Sequence, residues 1–171
     1  MAAHIRRATT ADAPALGAIH SASWSELYPK ALPPEVLAQL NVGYMTHLWQ
    51  KFVTHGPHFK QWVAEVDGQI IGFVGMGPGR EYVRDEDTEL YFLYVTPAAR
   101  GTGAGKQLLA AADADYLWVR EDFKKTRKFY ERQGFKPDIV RVTRGMGQRS
   151  RVGVLFGSSY PTELRMVRKR D

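Results

Sequence analysis

The chain has no cysteine, which excludes disulfides, a thiol nucleophile and thiolate metal sites. It also lacks any run approaching the ~18 consecutive apolar residues that a membrane helix needs. Its start, Met1 to Arg7, has no apolar leader core, so a cytoplasmic location without membrane attachment is expected. No Gly-x-Ser-x-Gly pattern marks a nucleophile elbow. The five histidines, His4, His20, His47, His55 and His58, show no ligand spacing with acidic partners, so no metal is expected.

What remains is an ordinary globular composition in 171 residues, 44% hydrophobic and 25% charged. That length suits one well-buried core, so residues 1–171 are expected to form a single domain. The formal charge of +6 is uneven: residues 98–171 hold 17 Lys and Arg against 8 Asp and Glu, a local +9, and the remainder carries −3. An anionic partner for the C-terminal half and a solvated basic surface are both open on this count.

Residues 4–9 read as a strand. Thr10 and Asp12 are N-cap candidates, and Leu16, Ile19, Trp24 and Leu27 recur near helical spacing. Pro29, Pro33 and Pro34 interrupt, after which 35–40 and 42–53 read as a kinked helix pair. Residues 62–66 and 69–76 flank Asp67-Gly68 as a β-hairpin, and 80–87 reads as a loop. Strongly β-prone residues 89–95 predict a central strand closed by Pro97. A helix over 105–115, a strand over 116–119, a helix over 124–133 capped by Gly134, and strands over 140–143 and 163–167 complete the order. Residues 144–160, rich in Gly, Ser and Arg, read as a long connection without periodicity. Strands that alternate with helices only in the second half predict a mixed α/β sheet with helices on both faces.

Arg100-Gly101-Thr102-Gly103-Ala104-Gly105-Lys106 lies between a predicted strand and a predicted helix. Its amides and the helix dipole should therefore converge on an anion, and glycines let that anion approach the main chain. A Walker A loop would need glycine at Arg100 and Ser or Thr at Gln107; a dinucleotide fingerprint would need glycine at Lys106 or Leu108. Both are excluded by spacing.

The remaining pattern, Arg-x-x-Gly-x-Gly after Leu90 to Pro97, resembles the fourth strand and pyrophosphate loop of the GNAT superfamily of N-acetyltransferases. Leu117-Trp118-Val119 and, ten residues later, Phe129-Tyr130-Glu131-Arg132-Gln133-Gly134-Phe135 resemble that family's fifth strand and following helix. The resemblance implies a central, mostly antiparallel sheet of six to seven strands. It also implies an N-acetyltransferase using acetyl-CoA, with the strand splayed near Leu93, Tyr94 and Val95 so that main-chain groups bind the pantetheine arm. Residues Arg100 to Lys106 would then hold the pyrophosphate, with Arg100 and Lys106 supplying charge. Lys124, Lys125, Arg127 and Lys128 are candidates for the ribose phosphate or for a solvated face. Phe123 stands where many members carry an asparagine.

Tyr130 is, by the same resemblance, the proton donor to the CoA sulfur. Glu89 is the candidate base for the amine, or else a solvent-exposed carboxylate at a strand end. Strand alternation predicts that Glu89, Tyr91 and Leu93 share one face. The acceptor groove maps by resemblance to His20, Trp24, Tyr28 and the Pro29 to Pro34 turn on one side and Arg144 to Tyr160 on the other. Trp24 and Tyr28, one helical turn apart, are the substrate-binding candidates, with core packing as the alternative. The acceptor is an amine of a small molecule or peptide. The rival readings are a non-catalytic CoA-binding protein and a basic nucleic-acid-binding module, the latter less favoured. Proteins of this kind often dimerise, so a homodimer stays open.

Overall fold

The computed structural model describes residues 3–28, 34–79, 87–143 and 162–168. The Pro29 to Pro33 part of the predicted turn and all of 144–160 lie outside them. Strands β1 (His4–Arg7), β2 (Lys60–Val66), β3 (Gln69–Pro78), β4 (Thr88–Val95), β5 (Tyr116–Arg120), β6 (Phe135–Val142) and β7 (Glu163–Arg168) form one sheet. Helices are α1 (Ala13–Leu27), α2 (Pro34–Gln39), α3 (Val42–Val53), α4 (Ala104–Ala112) and α5 (Lys124–Arg132). The strand order is β1-β2-β3-β4-β5-β7-β6. Every neighbouring pair is antiparallel except β4 and β5. The sheet is thus the mixed, mostly antiparallel one expected.

Helices cover both faces. Phe73 of β3 and Phe92 and Tyr94 of β4 pack towards α1 and α3, with Leu16 and Trp49. Val74, Leu90, Leu93 and Val95 pack the other way, with Leu108 and Leu109 of α4 and Tyr130 of α5. The two helices on the first face cross closely: a Cβ on Gly17 would lie 2.5 Å from the Thr46 hydroxyl oxygen and 2.6 Å from its main-chain nitrogen. Only glycine fits that crossing. The predicted break between α2 and α3 falls at Asn41, whose side chain accepts a 3.0 Å hydrogen bond from the Tyr44 amide as an N-cap.

Two elements differ from expectation. β1 ends at Arg7, and Arg6 there binds Asp12 and Glu65, tying β1 to the start of α1 and to β2. β6 begins at Phe135, five residues before the predicted Val140, and runs through Pro137. The register with β7 shifts between Pro137 and Arg141, so the residue without an amide hydrogen sits where ladder pairing is interrupted. Asp138 in that irregularity binds Arg165 of β7.

Candidate active site

The parallel pair β4 and β5 is short. Glu89 pairs with Tyr116 and Leu90 with Leu117, and beyond them no β4–β5 pairing forms among the described residues. β4 stays paired with β3 as far as Val95, and β5 with β7 as far as Arg120. The strands therefore part from residue 91 onward into a V-shaped opening. Its closed end is clamped by Asp115, which accepts from the Thr88 amide at 2.8 Å and from its hydroxyl at 2.7 Å.

At the C-terminal end of β4 stands the glycine loop. Gly101 and Gly103 have φ of +82° and +93°, a region costly for other residues. A Cβ on Gly101 would meet nothing within 4 Å, and one on Gly103 only Gln107 Nε2 at 3.9 Å. The glycine side of the loop is thus unobstructed by its own side chains. Thr102 turns inward, its hydroxyl donating to the Ala99 carbonyl at 2.8 Å. The first-turn amides of Gly105 and Lys106 have no intrahelical acceptor, as at every helix N-terminus, so the loop is chemically suited to a diphosphate. Lys106 is exposed beside it. The Arg100 guanidinium is turned instead onto Glu26 in a bidentate pair at 2.7 and 2.6 Å.

On the α4/α5 face of the opening, Leu93 and Val95 share an apolar cluster with Phe129 and Tyr130. Tyr130 is buried, with its ring edge-on to Phe129 and Phe135. The opposite face holds Glu89. It is fully buried rather than solvent-exposed, and the Tyr116 hydroxyl donates to its Oε2 at 3.2 Å. The predicted common face of Glu89, Tyr91 and Leu93 forms only in part: Tyr91 stays on the Glu89 side and Leu93 does not. The β3 register jumps from Gly75–Phe92 to Met76–Leu90, leaving Tyr91 as the extra residue of a bulge. The bulge inverts alternation, so Leu93 joins the α4 side while Tyr91 lines a cavity with Phe92.

Trp24 and Tyr28 stack 4.7 Å apart, as their spacing predicts. Trp24 is a core residue whose indole N–H donates to His20 Nε2 at 2.8 Å. Tyr28 is half-buried and reaches the β5–α5 corner, 6.3 Å from Phe123 and 5.2 Å from the Arg120 guanidinium. Phe123, in place of a hydrogen-bonding asparagine, presents its ring to Arg120 at 4.3 Å. His20 is completely buried and, by burial, held down to about pKa 3, hence neutral. The Trp49 indole nitrogen lies 3.1 Å from His20 Nδ1. A neutral imidazole offers one lone pair, which the shorter contact, from Trp24, takes.

Sequence patterning gives no reason to single out Gln61, Trp118 or Arg120. Trp118 lies on β5 between the inward-packed Leu117 and Val119, and so shares the Glu89 face. Its buried indole nitrogen meets no acceptor among the described residues. Four of the 17 basic residues in the C-terminal half pair with carboxylates of the same half: Arg120 with Asp122, Arg141 with Glu121, Arg165 with Asp138 and Arg168 with Asp113. The described residues contain no cluster of three or more potential metal-binding side chains and no helix long and apolar enough to cross a membrane.

Comparison with known proteins agrees with this geometry. Residues 57–137 match the acetyltransferase (GNAT) domain model, from the loop before β2 into β6. The 5-NmdU N-acetyltransferase of Pseudomonas phage PaMx11 is 34% identical over 120 residues, covering 62% of this chain and 84% of that protein. The uncharacterized N-acetyltransferase YuaI of Bacillus subtilis is 29% identical over 145 residues, covering 80% of each. The crystal structure of PaiA N-acetyltransferase from Thermoplasma acidophilum, in complex with coenzyme A, superposes with a TM-score of 0.73 at 20% identity, over 99% of this chain and 100% of that one. The chain belongs to the GNAT acetyltransferase family. Within it, the protein is an N-acetyltransferase.

Proposed function

We propose that this chain, as one domain over residues 1–171, moves the acetyl group of acetyl-CoA to a primary amine of a small molecule or peptide by direct attack. The observation that carries this reading is the parting of β4 from β5 after Leu90 and Leu117, with an unobstructed glycine loop at its open end. A thioester arm laid in the opening from the loop has Tyr130 on one face of the sheet and Glu89 on the other. Donor and acceptor then approach the reacting carbon from different sides, and no covalent enzyme intermediate is needed.

In the overall change the amine nitrogen forms a C–N bond, the C–S bond breaks, and one proton moves from nitrogen to sulfur. Each half of that transfer has a residue. Glu89 takes the amine proton, through water, and the Tyr130 hydroxyl gives one to the departing thiolate. The two side chains return to their starting states by exchange with solvent. Main-chain groups of Leu93, Tyr94 and Val95 direct the pantetheine arm, and an amide of Leu93 or Tyr94 bonds the carbonyl oxygen as charge develops there. The amides of Arg100 to Lys106 orient the diphosphate, and Lys106 supplies charge. Trp24, from behind, and Tyr28, directly, shape the α1 flank of the acceptor's approach at the β5–α5 corner.

The unobstructed glycine loop at the end of a parted strand pair supports a CoA-dependent enzyme over a nucleic-acid-binding surface. Purified protein incubated with acetyl-CoA and a panel of primary amines should release free thiol in proportion to amide formed. Tight CoA binding without thiol release would indicate a non-catalytic CoA-binding protein instead.

A further inference from the structure

A cavity of about 320 Å³ lies on the Glu89 face, between α3, β2, β3 and β4. Its walls are the rings of Trp49, Phe52, Phe59, Tyr91 and Phe92. Trp49, Phe52 and Phe92 stand 5.6–5.9 Å apart, and Phe59 and Tyr91 are inclined at 35° to each other with centroids 5.9 Å apart. A cavity of ~150 Å³ lined by apolar groups holds a benzene. This one accommodates a ring with a short arm, near the small end of ligand sites.

Two polar side chains besides Tyr91 line this largely apolar box, the exposed His55 and the buried Gln61. Gln61 of β2 is only 6% exposed and lines the cavity, yet its carboxamide makes no side-chain hydrogen bond among the described residues. The carboxamide nitrogen and oxygen are not among the fully buried unpartnered atoms, so they open onto the cavity, where a ligand able both to donate to them and to accept from them gains hydrogen bonds in a largely apolar setting. Room is kept for such a ligand by Gly75, which pairs with Gln61 and whose absent Cβ would lie 3.2 Å from Phe92 and 3.7 Å from Gln61 Cγ.

The cavity adjoins the reacting centre. Gly79 forms part of its wall, and a Cβ there would come within 2.9 Å of the Tyr116 hydroxyl, the group that donates to Glu89. The bulge at Tyr91, which aims that ring into the cavity, begins two residues after Glu89.

We infer that this cavity is the acceptor subsite and that it takes a planar heteroaromatic ring with a lactam-like N–H/C=O edge, carrying the reactive amine on a short alkyl arm. The ring lies among the aromatic walls, its polar edge pairs with Gln61, and the arm passes Gly79 towards Glu89. The inference rests on the acetyl-transfer reading for the fate of the amine, but not for the binding of the ring.

Two measurements test it. In ¹⁵N-labelled protein without CoA, the Trp49 indole N–H resonance, assigned with Trp49→Phe, should shift on titration with 2-pyridone and respond less to cyclohexanol. With saturating acetyl-CoA, an aminoethyl-pyridone should exceed both 2-phenylethylamine and hexylamine in kcat/KM, by roughly tenfold over the phenyl compound, as one well-placed hydrogen bond to a buried group gives. Gln61→Leu should abolish the preference for pyridone over phenyl. Phe59→Ala, at a half-buried wall, should reduce the preference of either ring over hexylamine. An unmoved Trp49 signal, equal rates for the three amines, or an unchanged pyridone preference in Gln61→Leu would overturn the inference. If acetyl-CoA fails to bind while pyridone still moves Trp49, the transfer reading fails and the ring site stands.

Discussion

Glu26, in the last turn of α1, grips Arg100 of the glycine loop through two hydrogen bonds of 2.7 and 2.6 Å. The pair joins the helix that borders the acceptor side to the loop proposed to hold the diphosphate. It lowers the Glu26 carboxyl below its ordinary range and raises the Arg100 guanidinium, each through the hydrogen bonds to the other. Both side chains are substantially exposed, so the pair adds under ~1 kcal/mol to folding. Its larger effect is to hold one carboxylate near an anion site and divert one cation from it.

Glu26→Gln should therefore leave the urea midpoint nearly unchanged but tighten acetyl-CoA binding by about two- to threefold at low salt, with the gain fading as ionic strength rises. Titration calorimetry at two salt concentrations checks this. Weaker binding in Glu26→Gln would show that the pair organises the loop instead of competing with the ligand.

His20 makes folding sensitive to acid. Burial lowers its pKa from 6.5 to about 3, so below the unfolded value the unfolded chain binds a proton that the folded protein refuses. Its contribution is whole above pH 6.5 and is lost progressively as pH falls towards 3, at up to ~1.4 kcal/mol per pH unit. Denaturant unfolding of the wild type and of His20→Gln across that window should differ in slope by about one proton. Parallel profiles would mean that His20 is accessible to protons in the folded state.

Tyr130→Phe keeps the ring packing against Phe129 and Phe135 and removes only the hydroxyl. With Tyr130 as the proton donor, kcat should fall by roughly 10²-fold while the Kd for acetyl-CoA stays within twofold. Glu89→Gln should likewise depress kcat. An unchanged kcat in either variant removes that residue from the mechanism.

Gly103→Val forces a β-branched residue into a φ of +93° and puts a side chain on the ligand side of the loop. Strain of roughly 1–3 kcal/mol should lower Tm modestly, while acetyl-CoA affinity falls far more. Similar losses of Tm and affinity, as would follow from simple unfolding, would argue against direct main-chain contact with the ligand.

The elements legible in the sequence were those whose signal is local. The glycine loop announced itself by spacing, the Asp67-Gly68 hairpin by its turn, and the stacked Trp24 and Tyr28 by one-turn separation. What escaped depended on pairing between distant strands. The bulge at Tyr91 arises where β4 meets Gly75 and Met76, and nothing within 89–95 marks it, so the shared face expected for Glu89 and Leu93 was lost. The start of β6 was hidden because Pro137 and Asp138 resemble a turn until Arg165 is placed opposite. Gln61 looks like any polar strand residue, and only the closure of α3 over β2 turns it into a buried amide facing a cavity.

The most direct test of the central claim, that loop amides between Arg100 and Lys106 hold the diphosphate of acetyl-CoA, is a thermal melt with and without the ligand. At 100 times its Kd, acetyl-CoA should stabilise the fold by about 2.7 kcal/mol, raising Tm by roughly 5–10 °C for a domain of this size, and Gly103→Val should abolish most of the shift. A wild-type Tm that does not move under saturating acetyl-CoA would contradict the account.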